Sequence, residues 1–283
     1  MSGRVTFKSS PLTLVGRVLK EGLTAPDFKV ITGDLKEVGL ADFSGKIKII
    51  TSFPSLDTPV CDLQVKEFNQ RAAGFSSEVI VVAISKDLPF AQKRFCQEHE
   101  IKNVLVFSDY KLSSFAINYG LLIKELNLLA RSVLIVDKND IVRYIQIVGE
   151  LTHSPDYEAA LNRLQEVIKN PKALAESGPP AKCKPCEGGV SYLSKETVDK
   201  LIVKHRGWQL VEDKKIVKEF KFKDFVEAKY FLDLIALIAE EQGHHPNLTL
   251  MYNKLKVTLT THAAGGLTEN DFIMARIIDE LGA

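Results

Sequence analysis

Four cysteines and six histidines are the residues in this 283-residue chain whose types best suit chemistry. Cys61 stands in Phe53-Pro54-Ser55-Leu56-Asp57-Thr58-Pro59-Val60-Cys61-Asp62, between the runs KIKIITSF and DLQVKEFNQRAAG. The first run reads as a buried strand over 46–53. The second reads as a helix over 62–73, with Leu63, Phe68 and Ala72 along one face. A cysteine at that handover meets unpaired amide N–H groups and the positive end of the helix dipole. Both favour a thiolate, and such sites lower a cysteine pKa from about 8.5 to roughly 3.5–7.5. Thr58 can set a hydroxyl beside the sulfur. Pro54 and Pro59 stiffen the loop and remove competing donors. The bland alternative is a small cysteine packed as a hydrophobe. It gives no reason for Pro-x-x-x-Thr-x-x-Cys directly after a strand.

At Pro54, Thr58 and Cys61 the chain resembles the peroxiredoxins, and most of all their thiol peroxidase branch. The likeness runs to about residue 170 and takes in TAPDFKV, FPSLDTPVC, FCQEHE and NLLARSVLIVDKNDIVRY. It implies a thioredoxin-like fold and peroxide reduction by Cys61 as the peroxidatic thiol. Thr58 and Arg131 would organise the bound peroxide. Cys96 would resolve the sulfenic acid, and thioredoxin or a similar dithiol would be the reductant. From the residues alone, Cys96 lies inside a helix over 88–99 and is open to a second reading as a core residue beside Phe95. A disulfide needs Cα atoms within about 7 Å, so resolution would require local unwinding of one or both helices. Arg131 opens a strand, and by its residue type alone it reads as a surface arginine. Asp62 suits the helix start, and His99 and His153 read as solvated.

A second group of chemical residues is Glu240-Glu241-Gln242-Gly243-His244-His245-Pro246, followed by Thr261-His262. Alternation puts His262 on a strand face with Lys256, Thr258 and Thr260, which makes that face polar. Three readings stand side by side: a metal site with Glu240 or Asp271, solvated loop histidines, and acid–base chemistry near neutral pH. Pro246 biases His245 to an extended backbone. Adjacent extended side chains diverge, which makes one shared metal awkward. The run HHPNLTLMYNKLKVTLTTHAAGGLTENDF is similar to the pterin-4a-carbinolamine dehydratases, over about residues 190–283. The resemblance implies loss of water from a 4a-hydroxytetrahydropterin to give a quinonoid dihydropterin, with no metal and no cofactor. His244 and His262 would be the acids, and His245, Pro246, Glu240 and Asp271 would hold the pterin. Asp271 has a local explanation too, as the third residue of a helix capped by Thr268. Trp208 reads as core or pocket wall.

Between the two groups, residues 170–190 carry four prolines and three glycines and read as a tether. Within it, Cys183-Lys-Pro-Cys186 is too far from a strand–helix start for a thioredoxin-type pair. It also lacks a second cysteine pair for zinc. Local structural thiols come first there, with a half metal site or redox shuttle second.

The elements that must carry these residues follow from periodicity. Two short strands fall in 4–16, with further strands over 78–85, 103–109, 132–137 and 141–149. A helical piece lies in 113–120 and a helix over 155–169. Continuously apolar strands alternating with helices imply a sheet covered on both faces. Beyond the tether, a helix over 195–205 is followed by two hairpins that flank a helix starting at Asp224. Its stripe of Phe225, Ala228, Leu232, Ile235 and Ala239 is widened by Phe231, Leu234 and Ile238. The expected organisation is an α/β thioredoxin-like domain over 1–170, a linker over 171–190, and an α+β domain with an antiparallel four-stranded sheet over 191–283.

Length suggests about two domains. Apolar content of 45%, charged content of 26% and a net charge of +1 suit a soluble protein and disfavour nucleic acid as a partner. No apolar run approaches the ~20 residues of a membrane helix. The opening MSGRVTFKSSPLTLVGRVLKEG lacks a secretory core, so the expectation is a cytoplasmic protein that forms a homo-oligomer. The reading is a bifunctional enzyme. Its alternative is a peroxidase fused to a catalytically silent oligomerisation or regulatory module.

Overall fold

A computed structural model of the chain describes residues 4–170, 183–184 and 191–281. It divides into two compact units, Met1–Pro180 and Ala181–Ala283. Most of the stretch read as a tether, Cys186 included, lies outside the described residues.

Unit 1 runs β1 (Arg4–Phe7), β2 (Ser10–Val15), β3 (Lys29–Ile31), β4 (Glu37–Gly39), β5 (Ile47–Ser52), α1 (Pro59–Ala72), β6 (Val79–Ser85) and α2 (Pro89–Glu98). It continues with β7 (Leu105–Ser108), α3 (Ser114–Asn118), β8 (Leu122–Ile123), β9 (Leu128–Leu129), β10 (Ser132–Val136), β11 (Val142–Ile147) and α4 (Tyr157–Lys169). Seven strands form a mixed sheet in the order β11-β10-β5-β6-β7-β3-β4. Its centre, β5, β6 and β7, is parallel. Every residue of β5 and β10 is buried, which is why both read as unbroken rather than alternating runs. One core joins these strands to α1, α2 and α4 through Ile49, Phe53, Val65, Phe68, Phe95, Val133 and Leu164. Lys48 points away from that core, fully buried, and is neutralised by Asp140. A smaller antiparallel sheet has the order β1-β2-β8-β9. The strands β3, β4, β8 and β9 were not expected, because two or three residues are too few to show a period.

Two corrections concern α1. The helix starts at Pro59, with Thr58 at its N-cap, rather than at 62. Proline's fixed φ and missing N–H suit a first helical position, so Pro59 starts the helix instead of stiffening the loop. Leu63 is 52% exposed and is not on the core face. The buried face is Cys61, Gln64, Val65 and Phe68, at i, i+3, i+4 and i+7. A glutamine and a cysteine occupy two of those four places, and a search for apolar residues passes over them.

Unit 2 runs α5 (Lys195–Ile202), β12 (Gln209–Val211), β13 (Lys215–Lys221), α6 (Phe225–Gln242), β14 (Asn247–Met251), β15 (Lys254–Leu259) and α7 (Glu269–Glu280). Its sheet is antiparallel and four-stranded, in the order β12-β13-β15-β14. Ile216, Phe220, Leu255, Val257 and Leu259 are buried on its inner face. Asp224 caps α6 by accepting from Glu227 N–H, and Ser194 caps α5 by accepting from Thr197 N–H. Each cap is worth about 1 kcal/mol. On α6 the buried residues are Ala228, Phe231, Leu234, Ile235, Ile238 and Ala239. Phe225 is 46% exposed, since it sits in the first turn before the helix reaches the sheet. Gly243, at φ 62°, ends α6 in the left-handed region that favours glycine. β15 ends at Leu259, so His262 is not on a strand face; it opens a short 3-10 turn, where it is exposed.

Candidate active sites

The first candidate site is built where β5 hands over to α1. Cys61 is fully buried at the third residue of the helix. Thr58 Oγ1 lies 2.8 Å from Cys61 Sγ and 3.1 Å from the Ser55 carbonyl, so its one proton serves two acceptors. Arg131 enters from the start of β10 and is 1% exposed, not a surface arginine. Its Nη2 lies 3.4 Å from Cys61 Sγ, and Nη2 and Nε donate to the Leu151 carbonyl at 2.8 and 3.2 Å. Nη1 donates to Gln64 Oε1. Among these partners the sulfur is the one able to carry negative charge. A buried guanidinium is costly without such a partner.

Asp87, just beyond β6, holds the loop in place. Its carboxylate accepts from Ser55 Oγ at 2.7 Å, Leu56 N–H at 2.8 Å and Ser85 Oγ at 2.7 Å. Pro54 is half-buried in that loop. Asp62 pairs with Lys66 at 2.7 Å, one turn along α1. A cleft of about 340 Å³ runs from Thr58 and Pro59 to Phe95 and His99 on α2. His99 and His153 are exposed, and the His99 ring packs on Phe95.

Cys96 is not part of that cleft. It is half-buried and lines a second cleft, with Gly33, Lys93, Ile101 and Leu105. Burial pushes its thiol pKa up. Cys61 and Cys96 are both free thiols. α2 turns Phe95 and His99 toward Thr58 and turns Cys96 elsewhere, so a bond between the two sulfurs requires α1 or α2 to move. Sequence reasoning missed Gln64 and Asp87. Helical spacing from Cys61 would have found Gln64. Asp87 is two residues before Pro89, where an acid reads as ordinary helix-start chemistry.

The second candidate site gathers three element ends of unit 2. The turn after α6 delivers His244, whose N–H donates to the Ala239 carbonyl at 3.2 Å. His244 is 6% exposed, and its Nε2 lies 2.8 Å from Asp271 Oδ1 near the start of α7. Asp271 is fully buried. Its Oδ2 accepts from Thr261 Oγ1 at 2.8 Å and from Thr268 N–H at 2.7 Å. Asp271 therefore caps α7, as its local explanation has it, and its other oxygen holds His244 rather than standing open to a ligand. Thr261 N–H donates to the Gly266 carbonyl at 3.1 Å, closing the turn that displays His262. His245 diverges from His244: it is exposed and paired with Glu240 at 2.9 Å. Trp208 is buried, and its indole N–H donates to Asp279 at 3.1 Å. That puts its polar edge about two turns of α7 from Asp271, so the structure does not join its polar edge to the histidines. Among the described residues, no group of three or more His, Cys, Asp or Glu is arranged to hold a metal, and no helix is long and apolar enough to cross a membrane. Cys183 belongs to unit 2, where its N–H donates to Gln242 Oε1 at 3.1 Å.

Comparison with known proteins divides at the same region. The family model described as Redoxin matches residues 20–161, and that described as Pterin 4 alpha carbinolamine dehydratase matches 191–281. A thiol peroxidase of Staphylococcus saprophyticus subsp. saprophyticus is 46% identical over 164 residues, covering 58% of this chain and 99% of the relative. A thiol peroxidase of Oceanobacillus iheyensis is 45% identical over 162 residues, covering 57% and 98%. Among solved structures, a peroxiredoxin-like protein from Aquifex aeolicus is similar at 42% identity and a TM-score of 0.55, covering 58% of this chain and 96% of its own. A transcriptional coactivator/pterin dehydratase from Brucella melitensis is 37% identical, with a TM-score of 0.32, covering 33% and 100%.

Proposed function

From a chain that belongs to the redoxin family through its first unit, with a pterin 4 alpha carbinolamine dehydratase module in its second, we infer a bifunctional enzyme. Unit 1 reduces hydrogen peroxide and organic hydroperoxides. Unit 2 dehydrates 4a-hydroxytetrahydropterin. The observation that carries the first activity is the convergence of Thr58 Oγ1 and Arg131 Nη2 on Cys61 Sγ.

Cys61 attacks one peroxide oxygen as a thiolate. An S–O bond forms, the O–O bond breaks, and the leaving oxygen departs as water or alcohol after taking a proton. Arg131 stabilises negative charge first on sulfur and then on the parting oxygens. Thr58 orients the peroxide through its hydroxyl, and Pro54 shields the loop side of the sulfur. Cys96 then attacks the Cys61 sulfenic acid; a disulfide forms and water leaves. A dithiol such as thioredoxin reduces that disulfide by thiol exchange. α1 or α2 must open locally for this step.

In unit 2, His244 is oriented by Asp271, and His262 stands exposed on the turn that Thr261 anchors to Asp271. One of them protonates the departing 4a-hydroxyl, which leaves as water, while the ring N–H proton passes to a base. His245, Pro246 and Glu240 hold the pterin at the rim. The domain boundaries we assign are 1–170 and 191–283, in a cytoplasmic homo-oligomer. The two activities have a common logic: uncoupled pterin hydroxylation releases peroxide, and coupled hydroxylation releases the carbinolamine. The competing reading is a silent oligomerisation or regulatory module, and the buried His244–Asp271 pair supports the active one. Assaying the purified chain for dithiol-dependent peroxide loss and for carbinolamine dehydration tests both halves. Activity in the first assay alone would support the silent module.

A further inference from the structure

We propose that Cys183 and Lys184 form a strap that positions the His244–Asp271 pair, with Asn270 as its receiving residue. Its consequence for catalysis rests on the dehydratase reading above; the positioning itself does not.

Asn270 is the second residue of α7 and is 5% exposed. Its side chain forms a reciprocal pair with one backbone unit. Lys184 N–H donates to Asn270 Oδ1 at 2.9 Å, and Asn270 Nδ2 donates to the Lys184 carbonyl at 2.8 Å. A carboxamide carries a donor and an acceptor side by side, so it can pair with the N–H and the C=O of one residue at once. Buried without that residue, both groups would lose these partners. The Cys183 thiol adds a weak contact, 3.7 Å from the Asn270 carbonyl. On the other side, Cys183 N–H donates to Gln242 Oε1 at 3.1 Å.

These contacts join the last residue of α6 to the second residue of α7. His244 lies two residues beyond Gln242, and Asp271 is next to Asn270. The strap therefore bridges the two helix ends whose side chains meet at 2.8 Å. It precedes the family match, which begins at residue 191. At the module's own start, Leu193 N–H donates to the Leu267 carbonyl at 2.8 Å, which ties the chain to the same region again. The Lys184 ammonium is 3.8 Å from Glu269, with both side chains mostly exposed, and adds little. The hold is through backbone.

That distinction sets the test, on the full-length chain labelled with ¹⁵N. Imidazole proton–nitrogen correlation spectra are compared for the unsubstituted chain, Lys184→Pro, Asn270→Ala and Lys184→Ala. Lys184→Pro removes the N–H donor, whereas Lys184→Ala keeps it. The expected result is that the His244 resonances shift or broaden in the first two variants and stay in place in Lys184→Ala. His99 and His153, in unit 1, move in none. Where dehydration is measurable, kcat falls roughly 10-fold with little change in KM, as for a group displaced by a fraction of an ångström. Unchanged His244 resonances in Lys184→Pro and Asn270→Ala overturn the proposal. If either variant unfolds unit 2, Gln242→Ala replaces it, with the same expected shift and the same overturning result. Should the unsubstituted chain dehydrate no pterin, the dehydratase reading fails while the spectra still decide the strap.

Discussion

Arg131 Nη2 lies 3.4 Å from Cys61 Sγ, although 70 residues separate them in the chain. Three other contacts, two to the Leu151 carbonyl and one to Gln64, fix the guanidinium before any substrate arrives. A lysine offers one point charge and cannot fill all those places. Arg131→Lys is expected to slow oxidation of Cys61 by about 100-fold, the scale for removing a preorganised donor. Rapid-mixing competition against a second peroxidase measures it. Thr58→Ser should keep most of the rate and Thr58→Val should lose it, because the hydroxyl is what reaches the sulfur.

Cys96→Ser is expected to leave the first oxidation intact and stop recycling by a dithiol, so that a sulfenic acid accumulates at Cys61. Asp87→Asn should act on the other side of the same step. It weakens the hold on Ser55 and Leu56, slows the first oxidation and speeds closure of the disulfide. Mass spectrometry after dimedone trapping separates the two species. Steady turnover by Cys96→Ser would make another thiol the resolving one.

In unit 2, Asp271→Ala removes the acceptors of His244, Thr261 and the Thr268 amide together. Leaving buried donors unpaired costs about 1–3 kcal/mol, so a lower melting temperature is expected along with slower dehydration. His262 is exposed, and His262→Ala should cost about 10²–10⁴-fold in rate with no change in melting. Chelators should change neither.

Burial pushes Asp109 up to about 7, against the opposing pull of the Ala116 and Phe115 amides and of Lys86. The folded state then holds a proton that the unfolded chain gives up near pH 4. This group's stabilisation is complete below pH 4 and is lost as pH rises to about 7. Asp109→Asn is expected to flatten the fall in stability of the 105–120 segment across that window. Hydrogen exchange by mass spectrometry, corrected for intrinsic pH dependence, reads it. An unchanged slope would assign the pH dependence elsewhere.

The two fold classes were legible because burial on both faces writes itself as unbroken apolar runs, seen in β5 and β10, and because hairpins alternate, seen in β14 and β15. What stayed hidden has local causes. β3, β4, β8 and β9 are too short for a period, and Gln64 occupies a core place that an apolar search skips. Leu63 lies on the exposed side of α1, between the buried Cys61 and Gln64, and Phe225 sits in the first turn of α6, before the helix reaches the sheet. Thr58 and Cys61 could be placed from the strand–helix handover, whereas Arg131 needed the β5–β10 pairing to reach them. The docking of Cys183 and Lys184 left no trace in composition. Backbone atoms make its main contacts, so a proline- and glycine-rich stretch read as tether throughout.

The claim that one chain carries two separate chemistries is tested most directly by a reciprocal pair of full-length variants. Cys61→Ser and His244→Ala are each assayed for dithiol-dependent peroxide reduction and for carbinolamine dehydration. The expected result is that Cys61→Ser loses only the first activity and His244→Ala slows only the second. Loss of both activities in either variant, or no dehydration by the unsubstituted chain, would contradict it.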